Sequence, residues 1–151
     1  MKKMMLFTFV IFAFLFSCNK NDDGPMVGDV EIYLISTFET LGNSCAINVA
    51  TVELMEEAFL TYEDLKSYNS GTYTFGLSQN GIEIVEGKQY PVNGTAFAVM
   101  ANNELAYTGY FYPAYSSFSC DWLTTDPLFI ESNNGLKMQL QAGVDDASMN
   151  F

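Results

Sequence analysis

The chain reads as mainly β, a single antiparallel β-sandwich-like domain with at most one or two short helices. Three observations carry that reading. From Val27 onward, short apolar runs are broken at close spacing by Gly, Asn, Asp, Ser and Pro, the punctuation of hairpin-connected strands. Several of the runs alternate apolar and polar residues, the period of a strand with one buried face. Segments that admit a helix are confined to short stretches in the first half of the domain.

In chain order, residues 30–35 form the first expected strand, and residues 45–49 a second with Cys45, Ile47 and Val49 on one side. Thr61 and Asp64 have the spacing of a capping box ahead of Leu65, which predicts one short helix over 62–67; periodicity also allows it to begin near Val52. Tyr73, Phe75 and Leu77 alternate as a strand. Asn80 and Gly81 then predict a hairpin turn into a strand over 82–85, in competition with a helix capped at Ser78 and ending at Gly87. The hairpin is preferred, because Asn-Gly is a strong turn signal and glycine a poor helix former.

Residues 95–101 are apolar on both faces, as in a central strand. Asn102 and Asn103 tolerate the left-handed backbone of a two-residue loop, and 104–112 returns as the partner strand. Asn133, Asn134 and Gly135 mark a further turn. Residues 136–142 form the clearest strand, with Leu136, Met138, Leu140 and Ala142 inward and Lys137, Gln139 and Gln141 outward. The acidic end, 145–151, is expected to fray.

The start of the chain has a different character. Lys2 and Lys3 precede an apolar stretch over 4–16, shorter than the roughly 18 to 20 residues of a spanning helix, and Ser17 then stands before Cys18. Leu15, Phe16, Ser17 and Cys18 form a lipobox and resemble bacterial lipoprotein signals. The resemblance implies cleavage after residue 17 and acylation of Cys18, which anchors the mature chain in a lipid bilayer. Asn19, Lys20, Asn21, Asp22 and Asp23, followed by Gly24 and Pro25, read as a flexible polar linker. Lys20, Asp22 and Asp23 resemble the acidic tract after the acylated cysteine in surface lipoproteins of Bacteroidetes type, and Asn19 is not the aspartate that signals inner-membrane retention in enteric lipoproteins. This implies outer-membrane anchoring with display on the outer face, the periplasmic face being the alternative. The expected organisation is a signal over 1–17, acylated cysteine and linker over 18–28, a β domain over 29–144 and a frayed tail over 145–151. One domain of this size buries roughly two thirds of its unfolded surface.

Composition narrows the chemistry. The mature chain keeps four lysines and no arginine against eighteen acidic residues, so no basic patch exists to neutralise phosphates and nucleic acid is not an expected partner. Histidine is absent, which removes the commonest general base and the commonest metal ligand. Beyond Cys18 only Cys45 and Cys120 remain, too few for a four-thiolate zinc site. No cofactor or metal is expected, and the spacing of an EF-hand loop is missing. Outside the reducing cytoplasm Cys45 and Cys120 are disulfide candidates, worth up to about 4 to 5 kcal/mol in the chain-entropy model; the alternative is two buried free thiols.

Aromatic residues concentrate in one region: Tyr107, Tyr110, Phe111, Tyr112, Tyr115, Phe118 and Trp122. Tyr107 and Phe111 share one strand parity, Tyr110 and Tyr112 the other, so both strand faces carry rings. Rings of this kind fill a β core or stack on sugars and partner side chains. The segment from Tyr115 to Trp122 also resembles a run in uncharacterised lipoproteins of the same bacterial group. If a ligand binds here, Tyr110, Tyr112, Tyr115 and Trp122 supply the contact surface and Asp121 a hydrogen-bond acceptor; the opposing reading packs Trp122 into the core near Cys120. Carboxylate pairs such as Glu56 with Glu57, Glu63 with Asp64, and Asp121 with Asp126 satisfy the minimum of a glycosidase, but nothing selects among them, and no catalytic residue is assigned. Asn93, Gly94 and Thr95 match a glycosylation sequon and are read as a turn. The leading expectation is a non-catalytic binding or accessory module for a carbohydrate or an envelope protein. A carboxylate-dependent glycoside hydrolase and a purely structural envelope protein are the alternatives.

Overall fold

The computed structural model describes residues 23–24 and 28–140. The expected signal, Cys18, the acidic tail and Ala142 lie outside the described residues. Within them the chain forms strands β1 (Asp23–Gly24), β2 (Val30–Thr37), β3 (Glu53–Leu60), β4 (Leu65–Asn69), β5 (Thr74–Leu77), β6 (Thr95–Ala101), β7 (Glu104–Phe111), β8 (Leu123–Thr125), β9 (Leu136–Lys137) and β10 (Gln139–Leu140). Two short helices, α1 (Gln79–Gly87) and α2 (Ile130–Asn133), complete the set, so the domain is mainly β as the sequence predicts.

The strands make two sheets, one ordered β1-β4-β5-β9 and one ordered β10-β8-β7-β6-β2-β3. Every pairing is antiparallel except β7 with β8. The β6–β7 hairpin forms where expected: Asn102 and Asn103 take φ of 51° and 64°, the two-residue left-handed loop that suits the strand twist. Strand period then divides the residues of β7. Phe111 joins Ile32, Leu60, Phe75, Phe97, Val99 and Leu136 in the core between the sheets, with Tyr107 packed against it, while Tyr110 points to the opposite face. Phe111 packs its ring against Phe59, Tyr90 and Phe97 at centroid distances of 5.4, 5.5 and 4.9 Å. Full burial of one such ring contributes about 1.5–3 kcal/mol.

Four local expectations are corrected. The predicted 82–85 strand is the middle of α1, the competing reading: Ser78 Oγ accepts the Gly81 N–H at 3.1 Å, an N-cap bond. Gly81 serves close approach rather than a turn, since a Cβ there would lie 2.7 Å from the Asp64 carbonyl oxygen. The capping box of Thr61 and Asp64 forms, but it closes one 3₁₀ turn, Tyr62–Asp64, before the chain extends into β4, and the region from Glu53 to Leu60 is an edge strand rather than helix. Residues 45–49 are not a strand; Ile47 makes one isolated bridge to Thr40, and Asn48 caps the 3₁₀ turn Val49–Thr51 through its Oδ1. The single strand expected over 136–142 divides at Met138: its N–H still donates to the Tyr73 carbonyl at 2.9 Å, in register with β9 on β5, and the residues that follow leave that sheet and pair with β8 as β10. This break is the corner that links the two sheets.

Two residues of the expected linker form a strand. Asp23 and Gly24 pair with Asn69 and Tyr68 as β1, at the edge of the four-stranded sheet.

Candidate functional site

The six-stranded sheet is covered on its second face by two loops, residues 38–52 and 113–122. Ile47, Ala96, Tyr110, Tyr112 and Cys120 form a second apolar layer there, with Phe38, Val52 and Trp122 packed around it. Cys45 and Cys120 form a disulfide with a Cα–Cα separation of 5.5 Å, tying the loops together. Asp121 strengthens the junction: its Oδ1 accepts from Ser44 Oγ and from the Cys45 N–H, both at 2.8 Å. The Cys45 N–H and the Ser44 hydroxyl hold its carboxyl below the usual carboxylate range. Tyr110 Oη donates to the Cys45 carbonyl at 2.8 Å, and burial, with the Asp121 charge adding to it, pushes the phenol up to about 12.

The five residues considered for a ligand surface therefore divide. Tyr110 and Tyr112 are buried in the second layer, and half-buried Trp122 donates its indole N–H to Thr108 Oγ1 at 3.2 Å. Asp121 is exposed but engaged with the 38–52 loop. Tyr115 keeps a largely exposed ring while its hydroxyl donates to the Tyr90 carbonyl at 2.7 Å. The structure brings Tyr110, Asp121 and Trp122 together around the disulfide, and it does not lay the five as one open aromatic strip.

The carboxylates considered for catalysis are dispersed over the fold. Glu56 and Glu57 are exposed on β3, and Glu63 is exposed beside the buried Asp64. Asp64 Oδ2 accepts from the Thr61 N–H and hydroxyl at 2.9 and 2.8 Å, and its Oδ1 from Asn80 Nδ2 at 2.6 Å. Burial works to raise its pKa, but the bonds from Asn80 and Thr61 prevail and hold the carboxyl below its ordinary range. Asp126 is shifted the other way, raised by burial although the N–H groups of Leu128 and Ala114 stabilise its anion. Asp64 thus pins the β3–β4 corner to α1, while Asp126 caps the turn into residue 128.

A different surface offers an open site. On the outer face of the four-stranded sheet lies a groove of about 460 Å³, floored by Ser67 and Asn69 of β4, Thr74 and Gly76 of β5 and Lys137 of β9. Thr72 and residues 132–134 form its walls. Strand alternation explains the lining: Tyr68, Phe75, Leu77 and Leu136 face the core, which leaves the polar residues beside them on the outer face, and a register shift between Leu65 and Ser67 lets Leu65 turn inward as well. Gly76 keeps the floor low, because a Cβ there would approach Ser67 Oγ to 2.5 Å. Asn134 enters the left-handed region at φ 56° and ends α2 beside the groove.

The lining presents hydroxyls, amides and one ammonium group, and no carboxylate. In so acidic a chain that is a distinct local chemistry, suited to hydrogen-bonding a polyhydroxylated ligand. Sequence reasoning did not identify this groove. Its signal was present in the outward polar positions of β4, β5 and β9, but these look like any solvated strand face until the sheet order places them together. Comparison with protein-family models, curated proteins and solved structures finds no match.

Proposed function

We propose that this chain is a lipid-anchored cell-envelope protein whose β domain binds a neutral, polyhydroxylated ligand of glycan type in the groove of the four-stranded sheet, without catalysing a reaction on it. The observation that carries the reading is the lining itself: hydroxyl and amide groups around a single ammonium, free of carboxylates, in a protein with eighteen acidic residues. Side-chain amides and hydroxyls both donate and accept, which matches the paired donor and acceptor character of sugar hydroxyls. Anchoring rests on the lipobox at Cys18, with the outer membrane as the bilayer and its outer face as the side of display.

The experiment is calorimetric titration of the acylated protein in detergent against a panel of neutral oligosaccharides, repeated with Lys137→Ala and Thr72→Ala. One class of glycan binds the wild type, and each substitution, made at an exposed position, weakens it about five- to tenfold, the worth of a lost hydrogen bond. Binding that both variants retain at full strength places the ligand elsewhere, and silence across the panel refutes the reading.

A further inference from the structure

We infer that the turn formed by residues 69–73 faces the bilayer that holds Cys18, and that the groove beside it receives the sugar headgroup of a glycolipid in that same leaflet. The inference rests on the glycan-binding reading and on the acylation of Cys18, and adds to them an orientation and a membrane-borne source for the ligand.

Its basis is the path of the chain. β1 runs antiparallel to β4 with Asp23 opposite Asn69 and Gly24 opposite Tyr68, so the chain preceding Asp23 leaves the sheet at the Asn69 end of β4. Residues 19–22 alone separate β1 from Cys18. Fully extended, the path from Cys18 to Asp23 spans at most about 18 Å, and Asp23 lies about 5 Å from Asn69 across the pair. Asn69 and Thr72 belong both to this turn and to the groove lining. The groove is thereby held within about 23 Å of the lipidated residue, while the opposite end of the sandwich has no such constraint.

The turn itself provides the second observation. Asn69 Oδ1 accepts from the N–H groups of Gly71 and Thr72 at 2.9 and 3.0 Å, which fixes the loop. Tyr73 follows with φ of 54°, an uncommon conformation for a bulky residue, and its ring is 52% exposed. The Met138 N–H bond to the Tyr73 carbonyl holds the backbone in place. A rigid loop that spends conformational strain to present a tyrosine to the outside, at the end where a lipid-anchored chain departs, suits a ring resting at headgroup level, where an amphipathic aromatic is most stable.

The test uses the acylated protein in phosphatidylethanolamine vesicles with and without a neutral diglycosyl diacylglycerol. Tyr73→Trp and Phe118→Trp each add one tryptophan at an exposed site, the first in the turn beside β1 and the second in the 113–122 loop over the six-stranded sheet. Tyr73→Trp is expected to lose emission to headgroup-labelled quencher lipids, whereas Phe118→Trp stays at the wild-type level; equal quenching of the two, or none of Tyr73→Trp, overturns the orientation. In parallel, amide exchange over residues 67–76 and 132–137 is followed with the neutral glycolipid in the membrane or with its free disaccharide headgroup at the same total concentration. Greater slowing by the membrane-borne form supports the inference. Equal slowing by both leaves glycan binding in place but overturns the membrane-borne source. No slowing by either, with Tyr73→Trp quenched, overturns the glycolipid assignment and leaves the orientation, while the glycan reading itself is decided by the oligosaccharide titration.

Discussion

Replacing Asp64 should cost more than any other single polar substitution in the domain, and the cost should depend on pH in a defined direction. Three hydrogen bonds converge on its carboxylate, two from Thr61 and one from Asn80, so the residue joins the β3–β4 corner to α1. Hydrogen bonds to a charged group contribute about 1.5–3 kcal/mol each. Thr61 and Asn80 are exposed and recover part of their bonding from water, which brings Asp64→Ala to a net loss of about 2–4 kcal/mol at pH 7. Asp64→Asn should cost less, about 1 kcal/mol, because the Asn80 amide can flip and accept from the new amide group. The folded-state pKa of Asp64 lies below its unfolded value, so its stabilisation is fully present above about pH 4 and is lost as pH falls through the folded-state value. Urea unfolding of wild type and Asp64→Ala at pH 7 and pH 2.5, the latter about the limit of ordinary carboxylate ionisation, reads both effects. A difference below about 0.5 kcal/mol at pH 7, or one that does not shrink in acid, would falsify the role given to this carboxylate.

Other outcomes follow from the same packing. Converting both Cys45 and Cys120 to alanine should lower stability by about 2–5 kcal/mol by chemical denaturation, and unchanged unfolding would mean that the loops hold without the bridge. Trp122→Ala should cost about 2–3 kcal/mol through lost packing and the lost bond to Thr108, with glycan affinity unchanged; loss of binding without loss of stability would return the ligand site to the aromatic cluster. Gly81→Ala, a favourable change in an ordinary helix, should instead destabilise by about 1–3 kcal/mol because the new methyl meets the Asp64 carbonyl, and a gain in melting temperature would contradict that contact.

What the sequence disclosed tracks the range of the forces involved. The β6–β7 hairpin was legible because its signals are local: two asparagines that accept positive φ, flanked by runs whose period sets their faces. The role of Gly81 was not legible, because the same Asn-Gly pair that marks a turn also fits a helix start once Ser78 caps it and Asp64 of another element demands a residue without a side chain. The break at Met138 was hidden for a similar reason. Leu136 and Met138 alternate inward as one strand should, and Met138 still continues the β5–β9 ladder through its bond to Tyr73, but the residues after it pair with β8 of the other sheet, a change of partner that no local pattern marks. The edge strand Glu53–Leu60 carries acidic residues on exposed positions, a pattern that protects an open edge and blurs strand periodicity.

The candidate sites follow the same rule. The aromatic cluster was conspicuous in sequence because it is contiguous, but adjacency does not tell a ring at a surface from a ring beneath a loop, and Tyr110 and Tyr112 lie beneath residues 38–52 and 113–122. The polar groove draws on β4, β5, β9 and the end of α2, segments far apart in the chain, and none of its residues is unusual alone. It exists only through sheet order. Asp121 shows both halves of the problem: its place beside Cys120 was visible, whereas its bonds to Ser44 and Cys45 required the loops to meet.

Amide chemical-shift mapping of the ¹⁵N-labelled acylated protein in detergent, titrated with a glycan that binds it, puts the groove directly to the test. The expected result is saturable shifts concentrated at Ser67, Thr72, Gly76, Asn133 and Lys137, with the amides around Trp122 unmoved. Shifts confined to Tyr115, Asp121 and Trp122, with the four-stranded sheet silent, would contradict the assignment of the groove as the binding site.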